Sequence, residues 1–317
     1  MSLLAAKTRS GLVETLHEGA VAVVSDDGSL IASSGDIDRP FFLRSAAKPF
    51  QASVSQIEGA DLQLSELALA SASHDGEPVH VAIVESMLAG VGLDAEDLCC
   101  PPGRPLSEEA DRRQLAAGRS AKQRIWHNCS GKHAAWLRAC VARSWPIGSY
   151  LEPRHPLQTA IAAFVSELGG YPVTPVGVDG CGAPVHRTTT RVMALLYARL
   201  ATLPALSQVF TAMHRYPALV SGTGNGDAAV AIALNAAAKR GAAGCAGVAI
   251  HNRMGVAVKS WDGAESVVDV ALVSTLESLG LLSSYAASQL APFARPPVLG
   301  GGRQVGEVEP RVELKWS

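Results

Sequence analysis

Ala20-Val21-Ala22-Val23-Val24-Ser25-Asp26-Asp27-Gly28-Ser29-Leu30-Ile31-Ala32 decides the architecture of this chain. A run of small and β-branched residues meets four turn formers, Asp26-Asp27-Gly28-Ser29, and then resumes its apolar character, which predicts a β-hairpin. The sheet is therefore antiparallel at least in part. A second hairpin signal lies towards the other end, where 246–250 and 256–259 flank a polar 251–255. Between the two, the apolar period changes from two to three or four. In 45–57, Ala47, Phe50, Val54 and Ile57 share one helical face. The same spacing predicts helices at 62–72, 79–90, 129–141, 156–168, 188–200, 206–214 and 266–285, and 108–124 reads as a solvated helix and its approach. A break at 169–175 precedes a short strand at 176–178, and the Pro/Gly-rich 292–317 carries one last strand. Strands at both ends with helices between them predict an α+β fold, a mainly antiparallel sheet joining both termini and flanked by helices. No repeat or linker interrupts it, so 1–317 is expected to be a single domain.

Composition removes several function classes. Hydrophobic residues make up 48% of the 317, enough for a large core and too many for a disordered chain. With 27 basic against 29 acidic side chains, the net charge of -2 offers no basic face to nucleic acid. Lys7 and Arg9 are followed by no apolar core of signal-peptide length. The longest apolar stretches, 228–238 and 241–250, fall short of the ~18 residues a membrane span needs, and Lys239 and Arg240 separate them. The expectation is a cytoplasmic protein with no membrane partner and reduced thiols. Of its six cysteines, Cys99, Cys100, Cys140 and Cys245 read as ordinary thiols.

Three places gather reactive side chains. In Arg44-Ser45-Ala46-Ala47-Lys48, Ser45 and Lys48 stand three apart on one helical face. Pro49 belongs in a first helical turn, so the pair sits where the dipole and free amides favour an alkoxide or oxyanion. A neutral lysine there takes up the hydroxyl proton; the bland alternative is a capping serine and a solvated lysine. His127-Asn128-Cys129-Ser130-Gly131-Lys132-His133 brings together a thiol, an amine and two imidazoles, and Asp179-Gly180-Cys181-Gly182 adds a second thiol on a tight turn. Two thiols and a nitrogen begin a zinc site. The rivals are a nucleophilic Cys129 with His133 as base, and two buried structural thiols. Finally, Ser73-His74-Asp75 resembles the second element of the penicillin-recognising serine enzymes, and Lys259-Ser260 the start of their third, with Asp75 and Trp261 departing from the pattern.

Taken together, Arg44-Ser45-Ala46-Ala47-Lys48-Pro49-Phe50-Gln51, Ser73-His74-Asp75-Gly76-Glu77-Pro78, the 127–133 segment and the 179–184 segment resemble the rhizobial-type L-asparaginases of the asparaginase II family. The resemblance runs over 19–262. Residues 216–224 resemble the family as well, whereas Asn225-Gly226-Asp227 departs from it. What the resemblance implies is hydrolysis of L-asparagine to L-aspartate and ammonia, on a fold similar to serine β-lactamases and glutaminases, by a homodimer. It makes Ser45 the nucleophile and Lys48 its proton acceptor, with Ser73 and Lys259 as a second serine–lysine tandem. Cys129, Lys132 and Cys181 would hold a modulatory zinc, Asp179 would anchor the substrate's α-amino group, and Arg44 and His133 would line its pocket. The alternatives left open are a cysteine- or zinc-centred amidohydrolase using Cys129, and a penicillin-recognising protein.

Overall fold

Both hairpins form. The strand Leu12–Val24 pairs antiparallel with Leu30–Ser34, placing Val21 opposite Ser34, and Cys245–Ile250 pairs with Met254–Ser260. The structure, a computed structural model, describes residues 2–174, 176–222 and 224–317. Pro175, in the expected break, and Thr223, in the 216–224 segment, lie outside the described residues. The chain divides into two compact units, Met1–Ala46 with Thr188–Ser207 and Gly224–Ser317, and Ala47–Arg187 with Gln208–Thr223.

The first unit is built on an antiparallel sheet. Its strands run in the order Pro297–Gly300, Arg303–Pro310, Ser2–Arg9, Leu12–Val24, Met254–Ser260, Cys245–Ile250 and Ala237–Gly241, with Leu30–Ser34 and Lys315–Trp316 alongside. Ala5 faces Pro310, so the two ends of the chain are joined in one sheet, as expected. Leu4, Val21, Val23, Val248, Val256 and Val258 form the core with Val267, Val270 and Leu276 of the helix Glu265–Ser278. Each such side chain contributes ~1.5–3 kcal/mol on burial. Helix Thr190–Thr202 also packs on the sheet and is capped by the Thr189 hydroxyl. The fold is α+β.

Several elements differ from the sequence reading; the one strand expected in 292–317 is three, Pro297–Gly300, Arg303–Pro310 and Lys315–Trp316. The 266–285 helix is two helices, Glu265–Ser278 and Ser284–Ala294, because Gly280 turns left-handed at φ +67° and Ser283 caps the second. The charged 108–124 segment is helical only over Glu108–Ala116. The apolar 228–238 stretch breaks at Asn235, φ +51°, into the helix Gly226–Leu234 and the strand Ala237–Gly241.

The second unit is helical. Ser130–Ala142 is its axis, buried along most of its length and packed by Lys48–Ile57, Leu64–Ala70, Pro78–Ala89 and Pro156–Gly169. A small hairpin, Gly177–Val178 with Pro184–Val185, presents the Asp179-Gly180-Cys181-Gly182 turn. No single helix among the described residues is long and apolar enough to cross a membrane.

Candidate active site

Ser45 lies in a one-turn 3-10 helix, Arg44–Ala47, that runs directly into the helix Lys48–Ile57. It does not cap that helix: the N-cap residue is Ala47, with no side-chain bond. Arg44 holds a left-handed backbone at φ +51°, a conformation that costs a non-glycine residue of order 1–3 kcal/mol and collects at functional turns. Ser45 itself is half-buried. The turn is fixed from within the first unit. Its Ala46 N–H closes on the Leu43 carbonyl at 3.1 Å, and the buried Tyr197 hydroxyl donates to the Ala46 carbonyl at 2.9 Å. Gly241 lies so close beneath that a Cβ there would meet the Leu43 carbonyl oxygen at 2.7 Å. Cys245, taken from sequence as an ordinary thiol, also approaches this turn, its Sγ 3.7 Å from the Leu43 carbonyl. Burial pushes that thiol up to about 11.

Lys259 belongs to the same unit. It is 7% exposed and donates to the Ala243 and Ser260 carbonyls at 2.6 and 2.5 Å. Its ammonium lies 5.6 Å from the rings of both Phe41 and Trp261. Burial moves its pKa down, with Cys245 and Asp262 opposing.

In the second unit, Lys48 is 1% exposed, so the solvated-lysine alternative falls. Its Nζ donates to the Ala72 carbonyl at 2.5 Å and to Ser73 Oγ at 2.9 Å. Ser73 is half-buried and follows the helix Leu64–Ala70. Thus the second serine of the sequence reading is the direct partner of the first lysine.

Around the Cys129 turn the polar groups are packed tightly. Lys132 Nζ stands 3.2 Å from Cys181 Sγ and 4.4 Å from the centre of the Trp136 ring. The Cys181 thiol, with Lys48 and Lys132, holds the Cys129 thiol well below its ordinary range against a burial penalty. Burial works against a charged Lys132, but Cys181, Cys129 and Asp179 outweigh it and hold the ammonium up. Cys100, also read as ordinary, lies near this pair: burial first, then Cys129 and Cys181, push its thiol up to about 12. His133 is fully buried, its Nδ1 2.8 Å from the Tyr150 hydroxyl, and burial takes it down to about 4. Asp179 is half-buried, its Oδ1 accepting from the Gly180 N–H at 2.8 Å.

The set Cys129, Lys132 and Cys181 fits zinc in kind, two sulfurs and a nitrogen drawn together, once Lys132 gives up its proton. His133 Nε2, buried beside them, has no hydrogen-bond partner among the described residues. Among those residues, no three His, Cys, Asp or Glu side chains are placed to hold a metal, so the lysine is essential to any such set. Tyr197 and Tyr150 carry no sequence signal of their own; each is one aromatic on an apolar helix face or loop. Only the site shows what their hydroxyls hold.

The family description L-asparaginase II matches residues 5–310. The chain belongs to the L-asparaginase II family. No curated protein matches it. Among solved structures, it is similar to Mglu in its native form, at 17% identity over 83% of this chain and 64% of that one, with a TM-score of 0.47. A Bacillus glutaminase gives 13% identity over 84% and 92% of the two chains with a TM-score of 0.37. The probable glutaminase YbaS gives 15% over 83% and 86%, at 0.41. The chain spans less than two thirds of the length of Mglu.

Proposed function

We propose that the protein hydrolyses L-asparagine to L-aspartate and ammonia with Ser45 as nucleophile and Lys48 as its base. The observation that carries this is the buried amine of Lys48, bonded to the Ala72 carbonyl and to Ser73 Oγ at the start of the helix entered through Ser45. A neutral amine has two hydrogens and one lone pair. With both hydrogens given to those two oxygens, the lone pair is left to accept the Ser45 proton. Attack on the carboxamide makes a tetrahedral oxyanion, for which backbone N–H groups near Ser45 are the natural donors; losing one such donor costs ~10²–10³ in rate. The same lysine then protonates the departing nitrogen, and water hydrolyses the resulting ester.

Ser73 serves as relay between the lysines, and Lys259, its charge disfavoured by burial, is the second amine of that relay. Arg44 and Asp179, both half-buried, suit the α-carboxylate and α-amino groups of the substrate, and His133 shapes the interior wall. Zinc on Cys129, Lys132 and Cys181 would offset thiolate charge beside Lys48 and is modulatory. The working form is a homodimer acting on a free small amide.

The lowered Cys129 thiol favours a second reading, a cysteine nucleophile. Its 5% exposure weighs against attack on a substrate, whereas Ser45 is half open. Ammonia release from asparagine separates them. Ser45→Ala is expected to abolish it, and Cys129→Ala to leave a measurable rate; the reverse order sinks the serine mechanism.

A further inference from the structure

Ser73 stands on the loop that joins two helices, and a hydroxyl on a loop holds its place only where the loop is tied down. The side-chain tie runs through His74, which is fully buried. Its Nε2 lies 2.8 Å from Ser130 Oγ, and its Nδ1 3.2 Å from the backbone N of Gly76. Ser130 has one hydroxyl proton and gives it to the Ile125 carbonyl at 2.8 Å. Its oxygen therefore accepts, and Nε2 must carry the hydrogen. At the other end Nδ1 accepts from the Gly76 N–H. Both contacts demand the same neutral tautomer, and a proton on Nδ1 would confront an N–H. Burial, then His80 and Lys48, push the imidazole well down in the same sense.

The neighbouring backbone completes the weld. His74 N–H donates to the Asn128 carbonyl at 3.2 Å, and Ser73 N–H to the Val220 carbonyl at 3.0 Å. A Cβ on Gly131 would come within 2.6 Å of the Leu69 carbonyl oxygen, so the Ser130 turn lies directly on the chain leading to Ser73.

We propose that His74 is the positioning residue of the serine–lysine pair: its Nε2–H bond to Ser130 fixes Ser73 against Lys48 and joins that pair to the turn bearing Cys129 and Lys132. His74 touches no substrate and moves no proton. This deepens the function proposed above, and its kinetic consequence rests on that reading.

Two substitutions divide the ring's roles. His74→Gln keeps an amide donor at the reach of Nε2. His74→Asn keeps an acceptor near Nδ1 and loses the donor to Ser130. For His74→Asn, kcat for ammonia release is expected to fall about 10- to 100-fold per folded molecule with KM unchanged, the cost of a displaced catalytic group. Ser130→Ala should match it, the double variant should be no worse than either single, and His74→Gln should recover most of the rate. A purely structural role would lower the melting temperature and leave kcat per folded molecule intact, which overturns the proposal. A crystal structure of His74→Asn supplies a readout that needs no turnover. Separation of Lys48 Nζ from Ser73 Oγ beyond about 3.5 Å is expected, and an unchanged hydrogen bond overturns the inference even if Ser45→Ala proves active. Should His74→Asn fail to fold, Ser130→Ala carries both measurements.

Discussion

Both units bury charge and polarity, but they settle it differently. In the first, the buried Lys239 and Asp227 lie 3.7 Å apart, and each is 2% exposed. Asp227 also accepts from the Arg240 N–H at 2.9 Å, and Arg240 reaches Asp269 at 3.3 Å and Glu265 at 3.5 Å. Cations and anions there answer one another. In the second unit, His133 Nε2, Trp136 Nε1, Gln158 Oε1 and both ring nitrogens of His186 are buried without a hydrogen-bond partner among the described residues. Buried polar groups are normally paired, and exceptions collect where a protein does chemistry. The first arrangement pairs its buried charges within the fold, whereas the second leaves several polar atoms without a protein partner among the described residues.

The largest break in this contrast comes from Asp227→Ala. It removes the buried carboxylate beside Lys239, leaving the ammonium with the Arg240 carbonyl, and should cost ~3–5 kcal/mol in urea unfolding, the usual price of one buried partner. A loss under about 1 kcal/mol would show the cluster to be ornamental.

Next in size is an effect of pH. Burial, against the pull of Arg240, raises Asp269 from 3.8 to about 6. A raised carboxyl favours the protonated native state, so its contribution to stability is lost as pH rises from about 4 to about 6. Asp269→Asn should remove that decline from a series of chemical melts; an unchanged slope would discount the burial.

The second unit should move the other way. Burial lowers His186 from 6.5 to about 4, with Lys132 adding to it. The unfolded chain binds the proton more readily, so stability is lost as pH falls from 6.5 towards 4. His186→Leu should flatten this acid limb and be neutral or stabilising at pH 7, because no hydrogen bond is given up. Marked destabilisation at pH 7 would reveal a partner for the imidazole. Smallest of all, Trp136→Phe leaves a small cavity and weakens the ring face under the Lys132 ammonium, and should cost about 1–2 kcal/mol, read from the same melts.

Turn chemistry and apolar period made both hairpins and most helices legible, since each signal is local. The strand Ala237–Gly241 was not, because Lys239 and Arg240 read as an interruption of apolar sequence. Asp227 from the preceding helix, with Glu265 and Asp269 from the helix Glu265–Ser278, let those charges sit in or against the sheet. Likewise the apolar pattern ran on through Gly280, where the backbone does not. At the site, Pro49 placed Lys48 at a helix start, but nothing local tells that its amine turns to Ser73, twenty-five residues on. Lys132 and Cys181 were grouped by family resemblance, and the structure brings them to 3.2 Å. His74 was visible only as the middle of a triplet; its role depends on Ser130, fifty-six residues away.

The joining of Ser2–Arg9 to Arg303–Pro310 has a consequence in time. Ser2–Arg9 is made nearly three hundred residues before Arg303–Pro310 and must wait for it. At ~5–20 residues per second of synthesis, that wait is on the order of tens of seconds. Throughout it, one side of Ser2–Arg9 is an open template for any passing strand. Lys7 and Arg9 sit on that strand, and charge is the common guard against false pairing. Two side chains that contribute little to the finished molecule thus protect it while it is still being made.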